Sequence, residues 1–288
     1  MKVAVTSYSF YQYERAGKMT QLDTVKAAHE LGFEAMEFVE IAGRDNYERQ
    51  VENARLIRAE ADKYGIKIVA YAIGAELNQP TEEAGRAELE RLKRQVDIAA
   101  ILGAPIMRHD VTYKLGTEAN NRSFDLCLPA MAKLARELTE YAETKGVKTC
   151  SENHGYIFQD SDRVERFFNA VAHKNYGVLL DLGNMMCADE DPRLAASRLA
   201  PYAIHVHAKD MIVREKNLRS LACFPTRGKN YLVPVALGEG DVKLDKSLEI
   251  LKSAGYDGYL SVEYEGAHDC IDGIKWGKEY LEELIAKL

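Results

Sequence analysis

The sequence predicts an α/β protein folded as a single (β/α)8 TIM barrel. Three observations carry that prediction. Short apolar runs rich in Val, Ile, Tyr and Ala alternate with longer amphipathic segments, the cycle repeats about eight times, and 288 residues hold eight such units with little to spare. Strict strand–helix alternation calls for parallel strands joined by crossovers. A doubly wound open sheet shares the alternation, but it usually has fewer strands and often a glycine-rich first turn. The turn after the first strand here reads SYSFYQYERAGK, with no G-x-G-x-x-G.

The elements follow in order. The first strand is expected at Lys2–Ser7, and the helix at Thr20–Leu31 opens on Thr20 as a cap and stops at Gly32. Strands at Ala35–Val39 and Ile66–Ile73 precede helices at Glu48–Tyr64 and Thr81–Leu102, which break at Gly65 and Gly103. Pro105–His109 leads to a helix at Asn120–Lys145 ending before Gly146, then Lys148–Glu152 leads to one at Asp162–His173. Gly177–Asp181, Ala203–Ala208 and Gly258–Glu263 complete the strands; Pro192–Leu199, Lys246–Ala254 and Asp272–Leu288 complete the helices. Most strands are near-continuous apolar runs, as strands buried on both faces must be. No interdomain linker appears, so residues 1–288 are expected to form one domain. The longest irregular piece is Met211–Leu244, with Arg214, Arg219, Arg227, Pro225 and Pro234, and a loop of that length inside a compact domain is usually functional.

Composition narrows the function. The chain is 47% hydrophobic and 29% charged, with 45 acidic against 38 basic side chains and a net charge of -7. A modestly acidic surface speaks against general affinity for nucleic acid or anionic membranes. No apolar run is long enough to span a bilayer, and MKVAVTSYSF lacks the apolar region of a signal peptide. The five cysteines are widely spaced without C-x-x-C, so reduced thiols in a cytoplasmic protein are expected.

In such a barrel the strand C-termini open onto one face, where residues distant in sequence converge. Polar residues at the ends of otherwise apolar strands are Glu37, His109, Glu152, Asp181, His207 and Glu263. Four of these come from consecutive barrel strands five to eight. Three clustered carboxylates repel one another unless a cation compensates them, and Glu, Asp, His, Glu is an oxygen-rich set suited to Mn, Mg, Co or Zn with open positions.

These stretches resemble the sugar phosphate isomerase/epimerase superfamily of xylose isomerase-like barrels, which includes ketose 3-epimerases, inosose-processing enzymes and, more distantly, endonuclease IV. The marks are LGFEAMEF, SENHG, LLDLGN, HVHAKD and GEGDV…AGYDGYLSVEYE, spread over the whole chain. The resemblance implies one divalent metal ion, most simply Mn2+, held by Glu152, Asp181, His207 and Glu263. It also implies that Glu152 and Glu263 act as the catalytic acid/base pair on opposite faces of the substrate. Two positions depart from the epimerase pattern. Asn184 stands where a substrate-binding His falls three residues after the metal Asp. Val213 takes the place of the substrate Arg six residues after the metal His, with Arg214 one residue later. Endonuclease IV needs three metals and more His ligands than these seven histidines provide, which excludes DNA repair.

Further substrate contacts are expected from Glu37 at the pocket floor, His109, His154, Asn184, Lys209 and Arg214. Lys209 shares the face of His207 and is expected to neutralise an oxyanion or pair with Glu239. His205 is expected on the opposite side, packed under a helix; Tyr8, Phe10 and Tyr71 are candidate pocket walls, and Trp276 is expected to pack or form an interface.

The function expected is a metal-dependent isomerase or epimerase of a sugar, keto-sugar or sugar-like polyol, working through proton abstraction beside a carbonyl and an enediolate. The alternative is a lyase on the same enolising site, either a keto-inositol dehydratase or the catalytic subunit of a 3-keto-C-glycoside deglycosidase, which would need a small accessory subunit. A sugar-binding sensor is a third class. Relatives implied by the resemblance are commonly dimers or tetramers. Acidic GEGD and EYEG loops disfavour a phosphorylated substrate.

Overall fold

Eight parallel strands close on themselves in the computed structural model, which describes residues 1–116, 122–218 and 221–288. Around the cylinder they are β1 (Lys2–Thr6), β2 (Ala35–Val39), β3 (Lys67–Ile73), β4 (Ile106–His109), β5 (Lys148–Glu152), β6 (Tyr176–Asp181), β7 (Ala203–Ala208) and β11 (Tyr259–Val262), with β11 pairing back to β1. Every pairing within the cylinder is parallel, as (β/α)8 alternation demands. The helices are a short α1 (Tyr11–Arg15), then α2 (Asp23–Glu30), α3 (Tyr47–Tyr64), α4 (Glu82–Leu102), α5 (Phe124–Glu143), α6 (Ser161–Val171), α7 (Pro192–Leu199), α8 (Leu244–Ser253) and α9 (Cys270–Ala286). The expected start of the fifth helix at Asn120 lies outside the described residues, as does Arg219.

Local chemistry sets these boundaries. Asn46, Thr81, Asp160 and Asp191 each accept an amide of the first helical turn, and α3 and α4 end on Gly65 and Gly103 with φ of 69° and 72°, the left-handed turn that strains any residue with a Cβ. Thr20 and Asp23 bond reciprocally ahead of α2, so Thr20 does close that helix entrance. The apolar faces of the helices and the outward residues of the strands form one large core, while Ala4, Ala35 and Val69 fill the lower barrel interior with Tyr259 against them.

One expectation is corrected here. Met211–Leu244 is not an irregular loop. It carries an antiparallel arm of three strands: β8 (Asp210–Arg214), β10 (Tyr231–Val235) and β9 (Phe224–Pro225), with β10 in the middle. A single buried carboxylate ties both roots of the arm to the barrel. Asp210 accepts the amides of Met211, Gly238, Gly240 and Val242 at 2.9–3.2 Å. None of the five cysteines is in a disulfide. Among the described residues no helix is long and apolar enough to cross a membrane.

Candidate metal centre

Strand register builds the centre. Asp181, the last residue of β6, is paired with His207 on β7, and His207 with Ser261 on β11, two residues before Glu263. Glu152 closes β5 on the other side of β6. The side chains of Glu152, Asp181, His207 and Glu263, all buried, therefore meet above the barrel axis, and one ligand atom from each lies within 4.8 Å of all the others. From His207 Nδ1 the distances are 3.6 Å to Glu152, 3.8 Å to Asp181 and 3.5 Å to Glu263.

Each member is held from outside the cluster so that one atom is left facing in. Asp181 Oδ1 accepts the amides of Gly183 and Asn184 at 2.7 and 2.9 Å. Glu152 takes the Asn184 amide group at 2.9 Å on one oxygen and Arg108 at 2.6 Å on the other. His207 Nε2 donates to Glu37 at 2.8 Å, which turns Nδ1 inward. Asp181 Oδ2 and His207 Nδ1 are buried without a hydrogen-bond partner, and Glu263 Oε2 is buried with the Lys209 ammonium 2.7 Å away. Buried acceptors left this way are costly, and they converge, so the set fits a divalent cation bound at about 2.0–2.6 Å.

The electrostatics agree with that fit. Burial, with Glu263 and Glu152 nearby, raises the Asp181 carboxyl to about 7 against the pull of Lys209. Burial disfavours a charged His207, yet Glu37, Glu263 and Glu152 hold its proton affinity well above the usual imidazole value. Burial likewise opposes ionisation of Glu263, but Lys209 and His207 keep it well below the normal carboxylate range. The cluster thus seeks positive charge from whatever is near.

Lys209 supplies part of it. Its Nζ lies 2.7 Å from Glu263 and 3.5 Å from both Asp181 and Glu265, rather than beside Glu239. A cavity of about 250 Å³ opens over this group, with Tyr8, Arg108, Asp110, His154 and Lys209 among its walls. His154 donates to Asp110 at 2.8 Å, and Arg108 pairs with Asp110 at 2.7 Å. Asn184 is buried, its amide spent on Glu152 and its oxygen 3.4 Å from Lys209.

Three expected substrate contacts lie elsewhere. Glu37 is fully buried beneath the centre and receives both His205 and His207 on one oxygen, at 2.9 and 2.8 Å, so it faces no cavity. His109 points outward from β4 into the core, against Tyr176 and the Asp110 carbonyl, because alternation gives the interior face to Arg108. Arg214 sits exposed on β8 with its guanidinium on the Val213 carbonyl, carried away from the cavity by the arm. His205 is also corrected: residues two apart share a strand face, and it lies inside the barrel, bonded to Glu37 and Ser261. Tyr8 does wall the cavity, Phe10 and Tyr71 are core, and Trp276 packs edge-on against His268. Arg108, Asp110, Tyr113 and Glu265 were not singled out as site residues by sequence; for Arg108 and Glu265, counting alternate positions from Asp110 and Glu263 finds them.

The family profile described as xylose isomerase-like TIM barrel matches residues 25–284. An L-ribulose-5-phosphate 3-epimerase of Escherichia coli O1:K1 / APEC is 23% identical over 92% of this chain and 90% of its own length. An inosose dehydratase of Clostridium tetani is 26% identical over 47% of this chain, which spans about half (46%) of that relative's length. Among solved structures, the IolI protein with a binding zinc atom superposes with a TM-score of 0.76 at 16% identity, covering 100% of this chain and 99% of that one. With the profile spanning nearly the whole barrel, the chain belongs to the xylose isomerase-like TIM barrel family.

Proposed function

We propose that this chain is a divalent-metal-dependent isomerase or epimerase of a sugar, keto-sugar or sugar-like polyol. The observation that carries the reading is the convergence of Glu152, Asp181, His207 and Glu263, with Asp181 Oδ2 and His207 Nδ1 buried and free of any hydrogen bond. These four would hold the ion, with Mn2+ favoured by the oxygen-rich set and Mg2+, Co2+ or Zn2+ also suited to it. When bound, such an ion polarises a carbonyl and offsets the charge of an enediolate.

The chain's own residues supply the proton chemistry. Glu152 and Glu263 are the outer members of the set around the cylinder, with β6 and β7 between their strands, so they flank whatever lies over His207. One carboxylate takes the α-proton and its partner returns one to the other carbon or face. Arg108 and Asn184 fix Glu152 at both oxygens, while Glu263 is held by Lys209. His154 and Lys209 stand at the cavity wall as hydrogen-bond donors for substrate oxygens.

A second reading is a dehydratase on the same site. Lys209 favours it: a buried ammonium lining the cavity beside Glu263 can protonate a departing hydroxyl. The likeness to an inosose dehydratase supports it. The test is a screen of ketoses, keto-inositols and 3-keto-glycosides with added Mn2+ in deuterated water, followed by NMR. Deuterium at the carbon beside the carbonyl without loss of water or fragment supports the isomerase; exchange with elimination supports the lyase; no exchange with any substrate overturns both.

A further inference from the structure

Beside the metal centre a second cavity of about 350 Å³ shares Tyr113, His154, Lys209 and Glu265 with the first, so the two form one continuous cleft. Its other walls differ in kind. Tyr156, from the loop after β5, faces Met211, Phe224 and Pro225 of the arm. Tyr156 and Phe224 remain 42% and 41% exposed.

Tyr156 is also strained. It has φ of 66° directly after Gly155 at 80°, a conformation that costs a residue with a side chain roughly 1–3 kcal/mol. Nothing in the fold compensates by burying its ring. The strained backbone is instead gripped by the arm: Arg227 donates to the carbonyls of Tyr156 and Ile157 at 2.7 and 2.8 Å and pairs with Asp160 at 2.6 Å. Asp189 fixes the turn behind it through Thr226 and Asn230. The backbone that carries Tyr156 is therefore held before anything binds, and Phe224 is carried on β9 through its pairing with Leu232; fixing both mounts lowers the ordering cost of contact with their rings.

The cleft offers poor reception to a phosphate. Its basic side chains among the described residues are Lys209, His154 and Arg108; the first faces Glu263, Glu265 and Asp181, the second is bonded to Asp110, and the third pairs with Asp110 and Glu152. A dianion there would meet carboxylates rather than free cations.

We infer that the substrate has two parts: a polyol end against the four-residue centre, and an apolar ring or short chain lodged between Tyr156 and Phe224–Pro225. The ligand class is an aryl- or alkyl-substituted sugar, not a sugar phosphate, and the inference rests on the proposed function for its polyol end.

Calorimetry on the full chain with Mn2+ tests it, using methyl and phenyl glycosides of glucose, galactose, mannose and xylose together with glucose 6-phosphate. The expected result is a phenyl glycoside binding at least about tenfold tighter than its methyl counterpart, since a buried ring is worth that much or more, and no gain from the phosphate. In Tyr156→Gly the phenyl-to-methyl ratio falls to near one while the melting temperature rises, because glycine relieves the φ strain. A ring kept for stability alone would lower it. Phe224→Ala lowers the ratio from the opposite wall. Equal affinities, no binding across the panel, or a ratio untouched in both variants overturns the inference. Deuterium exchange into unsubstituted ketoses is read separately: exchange without phenyl preference sinks the two-part substrate alone, and phenyl preference without exchange sinks the enolising function alone.

Discussion

The two sides of the barrel's C-terminal face handle buried charge in opposite ways. At the end of β4, Arg108, Asp110, His154 and Tyr113 neutralise one another, and against the cost of burial Arg108 and His154 bring the Asp110 carboxyl down to about 2. At the ends of β6, β7 and β11, Asp181 Oδ2 and His207 Nδ1 are buried without a hydrogen bond, and the Asp181 and Glu263 carboxylates share the one ammonium of Lys209 at 3.5 and 2.7 Å. Glu152 joins the two regions, giving one oxygen to Arg108 and turning the other toward His207. A paired wall needs nothing from outside and can serve as scaffold. A cluster with more carboxylates than cations persists in a fold when something else completes it.

The sharpest way to break this contrast is Glu263→Gln, which keeps the shape and removes the charge. Deuterium exchange should fall by about a thousandfold while the fold survives. A loss below tenfold would move Glu263 to the scaffold side. Arg108→Met attacks the wall instead. It strands the Glu152 and Asp110 carboxylates and should cost about 3–5 kcal/mol in urea denaturation; a cost under 1 kcal/mol would mean the wall is not held by pairing.

The pH dependence of stability separates the regions further. Burial lowers the His109 imidazole to about 4, so the ring is neutral in the fold. Its folded value lies below the unfolded one near 6.5, so its contribution is intact above that pH. It is lost as pH falls toward 4, by up to about 3 kcal/mol. His109→Gln should shrink the loss of stability between pH 7 and pH 4 by about that amount, and an unchanged acid profile would contradict the buried neutral ring. The smallest effect is expected at Glu37→Gln. Weakening the grip on His207 Nε2 should reduce Mn2+ affinity, read by chelator competition, by about 10- to 100-fold, whereas unchanged affinity would make Glu37 mere filling.

Much of this was legible in the sequence because barrel strands announce themselves twice, by apolar continuity inside and by the polar residue where each stops. Ala35–Val39, Lys148–Glu152 and Ala203–Ala208 fall where the alternation puts them, and so does the convergence of Glu152, Asp181, His207 and Glu263. What failed was parity and depth. His109 and Arg108 are neighbours with opposite faces, and which of them enters the barrel depends on the register that pairing sets, whereas the shared face of His205 and His207 follows from the period of two and is legible in the sequence. Glu37 was placed on the right face but one layer too high, since depth along a barrel axis depends on strand stagger. The arm is hard to read from sequence because its strands are short and two of them hold a proline, which reads as a loop.

Asp210 has a consequence for how this molecule can change. Because one carboxylate gathers amides from both ends of the arm, it works as a drawstring at the neck. Residues beyond that knot are not free to change, because Arg227 and Thr226 reach back to Tyr156, Asp160 and Asp189; the neck fixes where the arm leaves the cylinder, and these contacts fix where it lands. An arm moved between barrels would have to carry its aspartate, its glycines and these outer contacts together.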